Sequence, residues 1–116
     1  MLTVNILREL FRRLQEWQSL YEADPRLDVL TGPDGDEYCL QDMLYLYGEL
    51  DRLPRRQQQA IELFLVKNMK ETDAAKMMGV SPTNPIGSYA ADGLEKLIKM
   101  IERGELPRFK IERMVS

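Results

Sequence analysis

The chain has 116 residues, 44% hydrophobic and 30% charged, with a net charge of −3, which suits one folded domain that buries a core without disulfide or metal support. It contains no histidine and one cysteine, Cys39. Imidazole ligands, Ser–His and Cys–His nucleophile pairs and an internal disulfide are therefore excluded, and Cys39 reads as small core filler in a reducing compartment. No apolar run reaches the roughly 18 residues of a membrane span, and Arg8, Glu9, Arg12 and Arg13 interrupt the opening stretch, unlike a signal peptide. A cytoplasmic protein with no membrane contact is expected.

Charge is unevenly distributed. Residues 1–21 carry three Arg against two Glu, residues 22–51 nine acids against Arg26 alone, and residues 52–116 twelve Lys or Arg against eight acids. The middle is strongly acidic at −8 and the last part mildly basic at +4, so contacts to nucleic-acid phosphates are few, or are shared with a second subunit.

In chain order, Ile6, Leu7, Leu10, Phe11, Leu14, Trp17, Leu20 and Tyr21 form a broad apolar stripe on a helix over 3–21. Such a stripe buries either in the core or against a partner, including a second copy of the chain. Asp24-Pro25 ends it. Two short apolar runs around Thr31-Gly32-Pro33-Asp34-Gly35-Asp36 predict a β-hairpin near residues 27–40. Asp34, Asp36 and Glu37 lack the spacing and distal glutamate of a calcium loop and read as a solvated turn, so no metal or other cofactor is expected. A helix over 40–50 follows. After Leu53-Pro54, with Asp51 or Leu53 capping and Pro54 in the first turn, a second one over 55–68 buries Ala60, Ile61, Phe64 and Leu65, with Gln57 at its margin, and Asn68 closes it in the left-handed conformation.

The stretch 70–97 organises the rest. A short helix over 72–78, with Thr72 as N-cap and Gly79 as its left-handed end, is followed by a longer helix starting at Pro85, with Asn84 or Thr83 as cap. Ile86, Ala90, Gly93, Leu94, Leu97 and Ile101 recur at steps of three and four. Two helices around a glycine turn, with small residues where they cross, describe a helix-turn-helix. Gly104 stops the last helix. Beyond it Arg108, Lys110 and Arg113 alternate with Phe109 and Ile111, a basic arm or a strand packing on the hairpin. The expected class is mainly α with one hairpin. Its parts are 1–52 (N-terminal helix, acidic hairpin and linking helix, for packing or dimerisation), 53–104 (the helix-turn-helix) and 105–116 (the arm).

From Leu53 to Leu97 the chain resembles region 4 of bacterial RNA polymerase sigma factors. The resemblance rests on Leu53-Pro54, Arg56-Gln57, the apolar run Ile61–Leu65, Asn68-Met69, Ala75, Met78-Gly79-Val80-Ser81, and Leu94 with Leu97. Within that family the chain is most similar to small sigma-like helix-turn-helix proteins of bacteriophages. Register holds through Ser81, after which about one extra residue is needed to reach the second helix. Where the family opens that helix with cations and hydroxyls, this chain has Pro82, Thr83, Asn84, Pro85, Gly87, Ser88 and Tyr89, with no cation before Lys96. Nothing in the N-terminal half resembles the promoter-opening region 2.

The resemblance implies a transcription regulator that places the second helix in the major groove of double-stranded DNA. In that arrangement Asn84 is the base reader, pairing its amide with adenine, or else a helix cap. Thr83 and Ser88 bond base edges or phosphates, Tyr89 flanks the apolar stripe, and Lys70, Thr72 and the amides beside them meet a phosphate. Arg55, Arg56, Lys76 and Lys96 position the backbone, or are ordinary surface charges. The alternative is a sigma-like interaction module that binds RNA polymerase, a sigma factor or a host regulator through the acidic middle, without reading DNA. Asp92 near the groove and the net charge favour the alternative; the helix-turn-helix and the basic second half favour DNA. An enzyme is not expected, because the neighbouring carboxylates Asp36–Glu37 and Glu71–Asp73 point in different directions on their elements.

Overall fold

The computed structural model describes residues 2–106, so most of the arm expected over 105–116 lies outside the described residues. The element order is α1 (Val4–Arg12), α2 (Leu14–Ala23), β1 (Val29–Thr31), β2 (Glu37–Cys39), α3 (Leu40–Gly48), a single 3-10 turn (Leu50–Arg52), α4 (Arg55–Ala60), a widened helical stretch (Ile61–Val66), α5 (Glu71–Met78) and α6 (Ile86–Glu102). The protein is mainly helical with one antiparallel hairpin, as the sequence predicts.

The first helix is two. Thr3 caps α1 by accepting the Ile6 N–H at 3.3 Å, and the chain breaks at Arg13 (φ −93°, ψ −4°). A tertiary contact sits at the break. The Arg12 carbonyl accepts the Asn68 side-chain amide at 3.0 Å, and the Arg12 guanidinium lies 4.9 Å from the centre of the Phe64 ring, a cation–π contact. The C-terminal end of α1 is thus tied to Phe64 in the widened stretch and to Asn68 just after it. Ile6, Leu7, Leu10, Phe11, Leu14 and Trp17 are buried, so most of the N-terminal stripe is core, but Leu20 is 49% exposed and the stripe's last turn is not covered.

β1 and β2 pair as Val29 with Cys39, Leu30 with Tyr38 and Thr31 with Glu37. Side chains alternate, so Tyr38 is buried while Val29 and Thr31 face outward. At the tip Asp34 is bonded by the Tyr38 hydroxyl at 2.8 Å and the Asp36 N–H at 3.2 Å, an Asx-type turn.

Pro54 precedes α4 at the capping position, not in its first turn, and no side chain caps the helix. The Ile61–Val66 stretch departs from the expected periodicity. The Lys67 N–H reaches back five residues to the Glu62 carbonyl at 2.9 Å, a π-type widening. The extra residue turns Leu63 and Val66 inward with Ile61 and Leu65, and leaves Phe64 half-buried under Arg12. Asn68 closes this helix at φ +53° with the Met69 N–H on the Leu63 carbonyl, the left-handed ending expected.

A single core cluster runs from Leu2 through Trp17, Tyr38, Leu46, Ile61, Ala74 and Leu97 to Leu106. α6 packs along α4 and the widened stretch and also touches α1 and α5. Residues on both sides of position 52 share this core. α6 lies tightly against its neighbours at Gly93, where a Cβ would lie 2.8 Å from Ile61 Cδ1, 3.2 Å from Gln57 Cβ and 3.3 Å from Leu53 Cδ1. A larger residue there would overpack this contact.

Candidate nucleic-acid interface

α5 and α6 are joined through Gly79 at φ +71°, with the Gly79 N–H on the Lys76 carbonyl (3.1 Å) and the Val80 N–H on the Ala75 carbonyl (3.0 Å). These two bonds satisfy the last carbonyls of α5 and set the exit direction, and glycine takes the left-handed position without strain. α5 begins at Glu71 after Lys70, and no side chain caps it. Thr72 is therefore in the first turn and exposed, not the N-cap expected of it; the chain enters extended at Lys70 (φ −65°, ψ 151°).

The connection to α6 is a built turn. The Asn84 N–H bonds the Ser81 carbonyl at 3.0 Å, and the Ile86 N–H bonds the Asn84 carbonyl at 2.9 Å across Pro85 (φ −81°, ψ 77°), the dihedrals of an inverse γ-turn. Pro85 thus lies outside the helix, which starts at Ile86 with no side-chain cap. Neither Thr83 nor Asn84 caps it. Asn84 instead donates its amide to the Ser81 carbonyl at 3.0 Å and accepts the Tyr89 hydroxyl at 2.9 Å, so both ends of the amide that would face adenine are engaged within the turn. The Thr83 hydroxyl bonds Ser81 Oγ at 2.9 Å.

Tyr89 ties in a third element, because Arg56 Nη1 of α4 donates to the Tyr89 hydroxyl at 3.5 Å. The geometry brings together Arg56, Ser81, Thr83, Asn84 and Tyr89. Arg55, Lys70, Thr72, Lys76, Ser88 and Lys96 are all exposed. Ser88, Asp92 and Lys96, spaced by four, share one outward row of α6. A Cβ on Gly87 would lie 3.5 Å from Glu71 Oε1, so the start of α5 adjoins the first turn of α6 and places a carboxylate there. The acid Glu71 thus lies beside the first turn of α6, and Asp92 stands between Ser88 and Lys96 on its outward row.

Two residues of this arrangement are not among the expected site residues: Ser81 enters the sequence reading only through the Met78-Gly79-Val80-Ser81 motif, and Glu71 only as a carboxylate set aside as non-catalytic. Ser81-Pro82-Thr83-Asn84-Pro85 is a turn signature in which hydroxyl and amide side chains bond nearby backbone, which identifies Ser81. Nothing local identifies Glu71, whose place depends on how α5 crosses α6.

Helices α3 to α6, with the left-handed turn at Gly79, define a helix-turn-helix domain. Residues 43–85 match the family model described as Sigma-70, region 4, and this part of the chain is a sigma region 4-like helix-turn-helix domain. The match begins inside α3, earlier than the resemblance read from Leu53, and ends at Pro85, the residue before α6. No curated protein and no solved structure matches the chain. Among the described residues no helix is long and apolar enough to cross a membrane.

Proposed function

We propose that the chain is a DNA-binding transcription regulator that presents the α5–α6 turn and the first turns of α6 to the major groove of double-stranded DNA. The observation that carries this reading is the sigma region 4-like match over residues 43–85, on a turn held rigid by the bonds among Ser81, Thr83, Asn84 and Tyr89. In this reading Arg55, Arg56, Lys70, Lys76 and Lys96 contact phosphates, and Thr72, Thr83 and Ser88 offer hydroxyls to phosphates or base edges. Asn84 and Tyr89 act by holding the turn and aiming Arg56. No catalytic step is assigned to the chain.

The test is fluorescence anisotropy of a labelled random duplex in rising salt, with Arg56→Ala/Lys70→Ala beside the parent. Binding should fall with salt, and each lost phosphate contact should flatten the log–log salt slope by about 1. No binding by the parent chain at roughly 50 mM salt and micromolar protein would refute direct DNA recognition.

A second reading, docking to RNA polymerase, a sigma factor or a host regulator, is favoured by Asp92 on the outward row of α6, beside an Asn84 amide whose two ends are each bonded within the turn. Capture of purified polymerase or its sigma factors by the intact chain tests it.

A further inference from the structure

Among the described residues four large apolar side chains are exposed, and three of them fall within one stretch: Leu20 at 49%, Leu27 at 44% and Val29 at 46%. Leu20, Trp17 and Leu30, with Arg13 and Glu16, line a shallow groove between α2 and the hairpin. Trp17 closes its floor: the ring is buried and its indole N–H donates to the Leu27 carbonyl at 3.1 Å, which holds the segment carrying Leu27 against α2. The groove is the uncovered end of the N-terminal helical stripe, and such an apolar face is stable in water chiefly when something covers it.

The surroundings discriminate between occupants. Residues 22–51 carry nine acids against Arg26 alone, and that arginine is bonded to Asp24 at 3.0 Å. The side chains of Glu22, Asp28 and Glu37 have no partner among the described residues. A second copy of the chain would bring two such acidic segments together, at a repulsive cost. A partner with cations around an apolar stripe would complement both features.

We propose that the α2–hairpin groove docks a basic amphipathic helix of a partner protein, with apolar side chains against Leu20, Trp17 and Leu30 in the groove and against exposed Leu27 on the adjoining segment, and cations toward the acidic hairpin segment. The proposal rests on the docking reading above and names its surface, which lies on elements before the helix-turn-helix.

Trp17 is the only tryptophan in the chain, so its emission reports on the groove directly. The full chain is titrated with a synthetic leucine–lysine amphipathic helix that lacks tryptophan, and with a leucine–glutamate counterpart. Because Leu20 and Leu27 are exposed, Leu20→Ser/Leu27→Ser should leave the fold intact, which far-UV circular dichroism verifies. The expected result is a saturable change in Trp17 emission with the basic peptide, weakened at least tenfold in the double variant and by added salt, and absent with the acidic peptide. No response, or an equal response from the double variant or to the acidic peptide, overturns the proposal. So does a shift in Trp17 emission on Arg108→Glu/Lys110→Glu without peptide, which would assign the groove to the chain's own last residues. A concentration-dependent mass increase that the double variant abolishes would assign it to a second copy. If the parent captures polymerase or a sigma factor and the double variant captures it equally, this site is wrong while the docking reading stands; if the parent captures neither, the docking reading fails.

Discussion

At the scale of single residues, two positions carry more than their size suggests. Gly93 lets α6 lie directly on α4, with Ile61 Cδ1 2.8 Å from where a Cβ would be. Gly93→Ala gains about 1 kcal/mol of helix propensity but overpacks a contact with Ile61 Cδ1, Gln57 Cβ and Leu53 Cδ1, at about 1–3 kcal/mol. We expect a net loss on the order of 1 kcal/mol by urea titration; equal or greater stability would mean that the ends of Ile61 and Leu53 shift to admit the methyl group. Tyr38 is the second. Burial, the hydrogen bond to Asp34 and the negative charges of Asp34 and Asp36 all push its phenol upward. A folded-state value above the unfolded one stabilises the protein fully below about pH 10, and that contribution is lost as pH rises beyond it. Tyr47, raised by burial and by its bond to Glu62, acts in the same window. Denaturant midpoints between about pH 9 and 11 should therefore fall less steeply in Tyr38→Phe than in the parent.

At the scale of elements, the α5–α6 connection is the part most dependent on side chains. Asn84 closes it twice, through the Ser81 carbonyl and the Tyr89 hydroxyl. Asn84→Ala removes both partners, and we expect a loss of about 1–2 kcal/mol together with faster amide exchange over 81–86. Asn84→Asp keeps the acceptor for Tyr89 but loses the donor to Ser81, so it should fall between. If Asn84→Ala abolished DNA binding while amide exchange in the turn stayed unchanged, Asn84 would be reading bases after all. The kink at Arg13 is the other element-level feature. Asn68 holds it from both sides, donating to the Arg12 carbonyl at 3.0 Å and accepting the Arg12 guanidinium at 3.4 Å, so Asn68→Gly keeps the left-handed ending and should lower stability by about 1–2 kcal/mol through those two lost bonds.

At the scale of the whole molecule, one core joins the N-terminal helices to the helix-turn-helix. Unfolding should be a single transition, with Trp17 emission and far-UV circular dichroism giving the same midpoint. Two separated midpoints would show that residues 1–52 fold apart from the rest. Charge is also organised at this scale: the acidic hairpin segment and the cations of the second half lie on different stretches of one fold, so one molecule can present surfaces of opposite sign.

Much of this was legible in the chain because it is local. Apolar spacing of three and four marked the buried row Ile86, Ala90, Leu94 and Leu97. Gly79 and Asn68 announced left-handed endings that the backbone has, and the Gly/Pro/Asp run announced the hairpin. Such features depend on a residue's own conformational preference, which its neighbours in sequence suffice to express. What only the tertiary structure decided are matters of competition between partners. The Asn84 amide had caps, bases and a tyrosine available and was taken by Ser81 and Tyr89. The Arg12 carbonyl accepts from an asparagine 56 residues away. The widened turn after Ala60 shifted which apolar residues face inward. Leu20, drawn by periodicity into a core stripe, is left 49% exposed at the mouth of the α2–hairpin groove, with no other element over it among the described residues. In each case the free energies of the alternatives differ by about one hydrogen bond or one buried side chain, and only the three-dimensional arrangement determines which partner is within reach.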